Sequence, residues 1–245
     1  MDFNEQEFKS ELSRVFKDNG LGSLLNAERS EKFLMLTKRM LEENEKYNLT
    51  AITEPKKIIL NHYADCASLA SRLTKGASVI DVGCGAGFPS LPLAIVRDDL
   101  KIFAIDSTVK RIAYVNETAA LLGLTNLTAA TMRAEDGAKD PKYRETFDFA
   151  TARAVANLRV LTELCLPYVK VSGKMIAMKG KNAEYELLES KKAIAILGGK
   201  DAKIENVSLR NDEETLSHPF IIIEKKAKTP QAYPRVFAQI SKKPL

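Results

Sequence analysis

Residues 77–89 constrain the fold of this 245-residue chain more than any other segment. Residues 77–82 form a short apolar run, which predicts a buried strand of a parallel sheet. Three glycines at alternate positions follow, and the apolar pattern from Pro89 onward predicts the start of a helix. Glycine permits positive φ and close approach of the backbone to a ligand, and a helix N-terminus adds oriented N–H groups. A strand, a glycine turn and a helix in this order predict a site for a nucleotide-like cofactor.

The spacing of Gly83, Gly85 and Gly87 selects among cofactors. A dinucleotide fingerprint is G-x-G-x-x-G, whereas this loop has the pattern G-x-G-x-G with Phe88 after it. The phosphate-binding pattern G-x-x-x-x-G-K-[ST] is absent as well. With Asp81 ahead of the glycines, the motif is typical of class I S-adenosylmethionine (SAM) methyltransferases. Taken alone, it also fits an ordinary glycine turn between a strand and a helix.

A second strand is predicted over residues 101–105, with Asp106 at its carboxyl end. Ligands of doubly wound sheets bind outside the carboxyl ends of the strands. A carboxylate about 20 residues after a glycine loop is placed to accept hydrogen bonds from ribose hydroxyls. Capping of the following helix is the alternative role for Asp106, Ser107 or Thr108, and the two roles are compatible.

The composition bounds the class of protein. With 45% hydrophobic and 28% charged residues, the chain is expected to form one large globular domain, or one domain with a small extension. It has no run of 18 apolar residues and no apolar leader, so we expect neither a membrane span nor a signal peptide. Three widely spaced cysteines predict a reducing, cytoplasmic location, and with only two histidines no metal site is expected. We expect a monomer.

The order of the elements predicts an α/β fold. Residues 1–73 are expected to form an N-terminal helical extension packed on the core, residues 74–226 a methyltransferase domain, and residues 227–245 a basic C-terminal tail. The domain would hold a mostly parallel seven-stranded sheet of Rossmann-like type with helices on both faces and an antiparallel end. Strands are predicted near residues 77–82, 101–105, 127–131, 147–151, 173–178, 203–209 and 219–224. Later helices are predicted over residues 157–168 and 182–197.

The end of the chain carries cations without acids. After Glu224 these are Lys225, Lys226, Lys228, Arg235, Lys242 and Lys243. Such a tail predicts contact with phosphate groups. A solvated and partly disordered terminus is an equally good interpretation of this feature.

Other candidate site residues follow the later strands. Arg133 and Glu135 follow the third strand, Arg153 ends the fourth, and Lys179 follows the fifth with a second cation, Lys181. Arg153 could hold a carboxylate, a phosphate or a guanine edge, or it could pair with an acid at the surface. The exit of the fourth strand lacks the [N/D/S]-P-P-[Y/F] motif of exocyclic-amine methyltransferases. Cysteine-dependent RNA methylation is not expected either, because no cysteine is suitably placed.

Taken together, these motifs make the chain resemble the bacterial small-subunit ribosomal RNA guanine-N7 methyltransferase family, also called glucose-inhibited division protein B. The resemblance covers nearly the whole chain. It rests on Tyr47-Asn48-Leu49-Thr50-Ala51-Ile52, His62-x-x-Asp65, the glycine loop through Pro89, Asp106-Ser107-x-x-Lys110-Arg111, Arg133-Ala134-Glu135, Arg153-Ala154, Lys179-Gly180-Lys181 and Tyr233-Pro234-Arg235. The chain departs from the family pattern at Cys66, at residues 236–241 and at Ser217-His218-Pro219.

The resemblance implies a reaction and a site. SAM would donate a methyl group to N7 of a guanine in 16S ribosomal RNA, and the small ribosomal subunit would be the partner. The implied cofactor-binding residues are Asp81, Gly83, Gly85, Gly87, Phe88, Asp106, Ala134, Glu135 and Arg153. Arg133, Arg153 and Lys179 are candidates for positioning the substrate. Guanine N7 carries no proton, so we expect in-line attack without an obligatory general base.

Three alternatives stay open at the level of sequence. The chain could methylate another RNA or a small molecule, or it could be a regulatory module that binds SAM without catalysis. An NAD-dependent oxidoreductase is disfavoured by the glycine spacing.

Overall fold

A computed structural model describes residues 4–245, apart from the side chain of Tyr47. Residues 1–3, which belong to the predicted N-terminal extension, lie outside the described residues. The described chain contains a seven-stranded sheet in the order β3-β2-β1-β4-β5-β7-β6. The strands are β1 (Ser78–Val82), β2 (Lys101–Asp106), β3 (Leu127–Thr131), β4 (Phe147–Arg153), β5 (Val169–Met178), β6 (Gly199–Arg210) and β7 (Thr215–Lys225). The predicted fold class is confirmed.

The sheet reverses its direction of growth next to β1, which creates the binding crevice. The chain runs outward from β1 to β3 and then returns to place β4 on the other side of β1. All pairings from β3 to β5 are parallel, whereas β7 pairs antiparallel with both β5 and β6. A ligand crevice is expected at such a switch point, outside the carboxyl ends of the strands. The glycine loop directly follows β1 and therefore lies there.

Helices cover both faces of the sheet. They are α1 (Glu5–Asp18), α2 (Ala27–Tyr47), α3 (Pro55–Ile58), α4 (Asp65–Ala67), α5 (Ser90–Val96), α6 (Val109–Leu121), α7 (Ala134–Gly137), α8 (Leu158–Cys165), α9 (Ala183–Ile196) and α10 (Phe237–Lys242). Short 3-10 turns span Gly22–Leu24, Ser68–Arg72 and Leu166–Tyr168. Among the helices of the described residues, none combines the length and apolar character that crossing a membrane requires.

The third helix predicted for the N-terminal region is a composite. A π-helical turn, Ile59–Ala64, joins α3 to α4, and the 3-10 turn that follows ends at Arg72. A π turn inside a helix is uncommon and often marks a functional position. Here it presents the His62 side chain toward the crevice.

The apolar core ties the N-terminal helices to one face of the sheet. Phe16 of α1 and Phe33 of α2 are fully buried in the same cluster as Val79 of β1 and Ile176 of β5. A second cluster lies on the opposite face, where α8 and α9 pack against the sheet. Placing the domain boundaries after residues 73 and 226 remains a prediction.

The β6–β7 hairpin is longer than the sequence predicts, because the apolar pattern marks only the part that covers the core. Its tip closes at Asn211, whose Oδ1 accepts hydrogen bonds from the backbone N–H groups of Glu213 (3.0 Å) and Glu214 (2.8 Å). Such side-chain-to-backbone bonds are what asparagine contributes to turns.

The basic tail is folded, so the expectation of a partly disordered terminus is wrong. Lys225 is fully buried, where its Nζ donates to Leu166 O (2.7 Å) and Thr229 Oγ1 (2.6 Å). Burial lowers the pKa of Lys225 to about 8. Arg235 pairs with the buried Glu163 carboxylate at 2.6 Å. A phosphate contact by Lys225 is therefore wrong, because this cation is fully buried. Arg235, whose side chain is 21% exposed, holds the tail against the domain, and a phosphate contact by it remains a prediction.

Candidate functional site

A cleft of about 540 Å³ opens at the carboxyl edge of the sheet, at the switch point. This volume lies in the usual range for small-molecule sites. Its wall comes from the loops after β1, β2, β3 and β4, from the segment between α2 and α4, and from the start of α10. The residues discussed below that line it are Thr50, His62, Gly83, Cys84, Gly85, Phe88, Ile105, Asp106, Arg111, Met132, Arg133, Ala134, Glu135, Arg153, Leu164 and Phe237.

The glycine loop is anchored to the neighbouring strand by its own backbone. The N–H groups of Gly83 (2.8 Å) and Cys84 (3.0 Å) both donate to Ile105 O at the end of β2. All three glycines have positive φ. Only Gly85 faces open space, because a Cβ built there would meet no atom within 4 Å. It therefore forms the cradle into which a ligand can approach the backbone.

The family resemblance implies that Gly87 and Asp81 contact the cofactor. In the structure neither residue lines the cleft, and both support the glycine loop from behind. A Cβ on Gly87 would lie 2.5 Å from Leu91 Cδ1, so this glycine is required for packing against α5. Asp81 is buried beneath the loop, where it accepts a hydrogen bond from Ser90 Oγ. Burial raises the pKa of Asp81 to about 6.

Asp106 is held by the loops on both sides of it. One carboxylate oxygen accepts the N–H of Gly85 (3.1 Å), and the other accepts the N–H of Thr108 (2.8 Å), which closes the turn before α6. Arg111 lies 3.5 Å from the carboxylate. Asp106 thus organises the local turn and still lines the cleft, and binding of a ribose by it remains a prediction.

The loop after β3 supplies the third part of the sheet edge. Ala134 and Glu135 begin α7, and Glu135 is buried although it lines the cleft. The hydroxyl of Tyr168 donates to Ala134 O at 2.7 Å and so fixes this turn. The Arg133 side chain is 64% exposed and lies 4.0 Å from Glu135. Its guanidinium is therefore accessible to a substrate at the cleft rim.

Arg153 connects the sheet to the N-terminal helices. Its Nη1 donates to Asn61 O (3.0 Å) and to Asp65 Oδ2 (2.8 Å), and its Nη2 lies 2.7 Å from His62 Nδ1. The other oxygen of Asp65 lies within ion-pair distance of His218 Nε2, without the alignment of a hydrogen bond. Arg153 pairs with an acid, but with the buried Asp65 and not with an acid at the surface, and because the side chain also lines the cleft, its binding of a ligand remains a prediction.

His62 is neutral in this environment. It is only 4% exposed, and burial together with the charge of Arg153 lowers its pKa to about 4. Its ring stacks on Phe88 with 4.5 Å between centroids, and its Nε2 lies 3.0 Å from Thr50 Oγ1. The histidine thus joins the helical segment to the glycine loop.

Lys179 does not join the other candidates. Its Nζ donates to Ala156 O (2.8 Å) and pairs with Glu186 at 2.7 Å, and the side chain is only 10% exposed. Lys179 does not line the cleft, and its predicted role in positioning the substrate remains a prediction. Its cation instead ties the end of β5 to α9.

Sequence reasoning missed several residues that line the cleft, among them Thr50, His62 and Phe237. Thr50 and His62 belong to motifs that carried the resemblance, but no role followed from their spacing. Phe237 comes from the folded tail and is 42% exposed, although it lines the cleft. The adjacent apolar residues Val236 and Phe237 in a basic tail were the available signal.

The cleft provides groups that fit SAM. Ile105, Met132 and Leu164 provide an apolar wall beside the open space at Gly85, and Asp106 provides a carboxylate next to it. Within residues 4–245, no group of three or more His, Cys, Asp or Glu side chains could hold a metal ion. A doubly wound seven-stranded sheet with this glycine cradle defines a class I SAM-dependent methyltransferase.

Comparisons with known proteins agree with this class. The fold resembles a SAM-dependent O-methyltransferase from Thermotoga maritima, with a TM-score of 0.53 and 17% identity, over 78% of this chain and 72% of that chain. The family model described as rRNA small subunit methyltransferase G matches residues 29–215. The chain belongs to this family, the glucose-inhibited division protein B family. It is an enzyme that uses SAM as its cofactor.

Curated relatives match over almost the entire chain. A ribosomal RNA small subunit methyltransferase G from Clostridium perfringens is 46% identical over 229 residues, 93% of this chain and 95% of the relative. Another from Clostridium beijerinckii is 45% identical over 241 residues, 98% of this chain and 99% of the relative.

Proposed function

We propose that this enzyme transfers the methyl group of SAM to N7 of a guanine in the 16S RNA of the small ribosomal subunit. The names of the relatives support ribosomal RNA as the substrate class. The family resemblance supports guanine N7 as the acceptor. A monomeric enzyme in the cytoplasm remains part of this proposal.

Methyl transfer to N7 requires the protein mainly to position the two reactants. Bound SAM supplies a methyl group on a cationic sulfur; as the lone pair of guanine N7 forms the new N–C bond, the C–S bond breaks and S-adenosylhomocysteine leaves. No proton leaves N7, because this atom carries none. Alignment and electrostatic stabilisation then lower the barrier.

The observation that carries the proposal is the state of the groups lining the cleft. His62 faces the cation of Arg153 through Nδ1, and both oxygens of Asp106 accept backbone hydrogen bonds. Burial raises the pKa of the Cys84 thiol, which makes it a poor nucleophile. This set of groups favours an acceptor atom that needs neither a general base nor covalent catalysis.

Arginines at the cleft rim suit an RNA substrate. Arg111 and Arg133 both line the cleft, and more than half of each side chain is exposed. Because N7 is hard to reach in the deep major groove of A-form RNA, the target guanine should lie in a loop or a distorted region. Such a region presents phosphates around an accessible base, where rim arginines can bind them.

The decisive experiment is methyl transfer from radiolabelled SAM to small ribosomal subunits from a strain that lacks this protein, with the product nucleosides separated by chromatography. The proposal expects 7-methylguanosine as the labelled product. A different methylated nucleoside, or no incorporation despite demonstrated SAM binding, would overturn it.

The absence of an obligatory base is tested by single-turnover methylation at saturating SAM and RNA. Asp106→Asn, Glu135→Gln and His62→Gln should each retain a large part of the rate whenever folding and both affinities are intact. The rate should be flat with pH across the neutral range. A loss of a thousandfold or more in one variant, with binding unchanged, would contradict this part.

A further inference from the structure

A chain of three hydrogen-bonding side chains ends at a hydroxyl in the cleft. It begins at Arg153, passes through His62 and ends at Thr50, which belongs to the segment between α2 and α3. Two contacts, of 2.7 Å and 3.0 Å, connect the three side chains.

The donor and acceptor roles along this chain follow from Arg153. A guanidinium can only donate, so His62 Nδ1 must accept and cannot carry a proton. Asn61 O also lies 3.1 Å from Nδ1, but a proton on Nδ1 would face the N–H donor of Arg153 Nη2 at the shorter distance of 2.7 Å. In the neutral imidazole the proton is therefore on Nε2, and Thr50 Oγ1 must accept it.

Thr50 is left with only its proton to offer. A hydroxyl has two lone pairs and one donor. One lone pair accepts from His62 Nε2, and the other accepts the backbone N–H of Ile52 at 3.1 Å. Because Thr50 lines the cleft, the remaining O–H is available to an acceptor atom there.

We propose that Thr50 selects guanine by donating its hydroxyl hydrogen to O6 of the target base. The proposal rests on the proposed function and makes it more specific. Guanine presents two acceptors, N7 and O6, side by side on its major-groove edge, whereas adenine presents N7 beside an amino donor. A hydroxyl that can only donate forms a hydrogen bond with O6 of guanine. It disfavours adenine, because its hydrogen would face the amino donor.

The position of Thr50 favours the base over the cofactor. The groups that fit SAM come from the loops at the carboxyl edge of the sheet, around Gly85 and Asp106. Thr50 comes from the N-terminal helical region and is joined to that edge through His62, which contacts Arg153 and stacks on Phe88. His62 is a positioning residue in this scheme, because it acts by fixing the proton of Thr50.

The test is a cycle that removes the donor and the acceptor separately. Thr50→Val removes the hydroxyl at nearly constant shape, and Thr50→Ser retains it as the matched control. Each enzyme methylates small subunits reconstituted with 16S RNA that carries guanine or 2-aminopurine at the modified position, which is first located with the wild-type enzyme. 2-Aminopurine keeps N7 and lacks O6. SAM affinity is measured by calorimetry on the same preparations.

We expect Thr50→Val to lower kcat/KM on guanine-containing subunits by about 10- to 100-fold, the loss that one hydrogen bond to an uncharged acceptor supports. Thr50→Ser should stay within about threefold of wild type. On 2-aminopurine the wild type and Thr50→Val should have equal kcat/KM, and the Kd for SAM should be the same in all three proteins.

Three results would overturn the inference. The first is a loss of kcat/KM in Thr50→Val by the same factor on both substrates, and the second is an unchanged kcat/KM on guanine. The third is a tenfold weaker binding of SAM by Thr50→Val, which would mean that the hydroxyl binds the cofactor. Failure of the proposed function is distinguishable, because the wild-type enzyme would then form no 7-methylguanosine on unmodified subunits, whatever the variants do.

Discussion

The cleft has two walls that are built in different ways. The sheet wall, formed by Gly83, Gly85, Asp106 and Glu135, consists of short loops at the ends of neighbouring strands. The helical wall, formed by Thr50 and His62, is connected to the sheet through Arg153, which also pairs with Asp65, and through the stacking of His62 on Phe88.

The two walls depend on different forces. Backbone hydrogen bonds and glycine conformation shape the sheet wall, as where Gly83 donates to Ile105. Charged and polar side chains that are mostly buried shape the helical wall, where an unpaired partner is costly. Changes on the sheet wall should therefore act locally, whereas loss of one member of the helical wall should affect stability and the substrate side together.

The largest effect is expected for Arg153→Met. This change leaves the buried carboxylate of Asp65 with only His218 beside it and leaves His62 Nδ1 without its donor. We expect the free energy of unfolding to fall by about 3 kcal/mol, measured by urea denaturation at pH 7. The control is Arg14→Met, whose ion pair with Glu11 lies nearer the surface and should cost less than about 1 kcal/mol. Equal losses in the two variants would show that the buried contacts of Arg153 stabilise the fold no more than an ion pair near the surface.

Gly87→Ala and Gly85→Ala separate packing behind the glycine loop from ligand access on the sheet wall. At Gly87 the new Cβ would meet buried Leu91 at 2.5 Å with φ at +84°, so we expect a loss of about 3 kcal/mol in unfolding free energy. At Gly85, with open space at φ +55°, only about 1 kcal/mol of strain is expected. Its Cβ should instead raise the Kd for SAM tenfold or more, measured by calorimetry. The reverse pattern would contradict the assignment of Gly85 as the cradle.

The lowered pKa of His62 predicts how the free energy of unfolding depends on pH. Folding lowers its pKa from 6.5 to about 4, so the unfolded chain binds a proton more readily than the folded protein between these values. Stability from this group is present above pH 6.5 and is lost as the pH falls toward 4. Between pH 7 and pH 5 we expect wild type to lose about 2 kcal/mol more than His62→Gln in urea denaturation. Parallel losses in both proteins would show that other groups cause the acid sensitivity.

The smallest effect concerns RNA binding at the rim. Arg133→Gln should lower affinity for small subunits and reduce the slope of log affinity against log salt by about 0.7 to 0.9, the value of one phosphate contact. Lys179→Gln should leave this slope unchanged, because Lys179 is paired with Glu186 away from the cleft. An unchanged slope for Arg133→Gln would mean that this arginine binds no phosphate.

Regular elements were accessible from sequence because their signals are local. The run before the glycines predicted β1, and the structure differs only by one residue at its start. The positions of Gly83, Phe88 and Asp106 in the cleft followed from the rule that ligands bind at the carboxyl ends of strands. The ends of β6 and β7 were missed because exposed strand residues carry no apolar pattern.

The partners of charged residues were not accessible in the same way. Lys179, Lys225 and Arg235 have the same appearance in the sequence as cations that bind a substrate. In the structure Glu186, Glu145 and Glu163 lie against them, from positions distant along the chain in two of the three cases. An ion pair depends on which elements meet in space, and the composition of the chain does not predict which elements meet.

The sequence alone therefore determined the doubly wound sheet, the glycine loop at its switch point and the type of cofactor, because strand periodicity and glycine spacing are properties of neighbouring residues. Only the tertiary structure decided that Gly87 packs while Gly85 faces the cleft, that the basic tail is folded, and that Arg153, His62 and Thr50 form one chain of hydrogen bonds. These outcomes depend on contacts between segments far apart in sequence, and the fold brings those segments together.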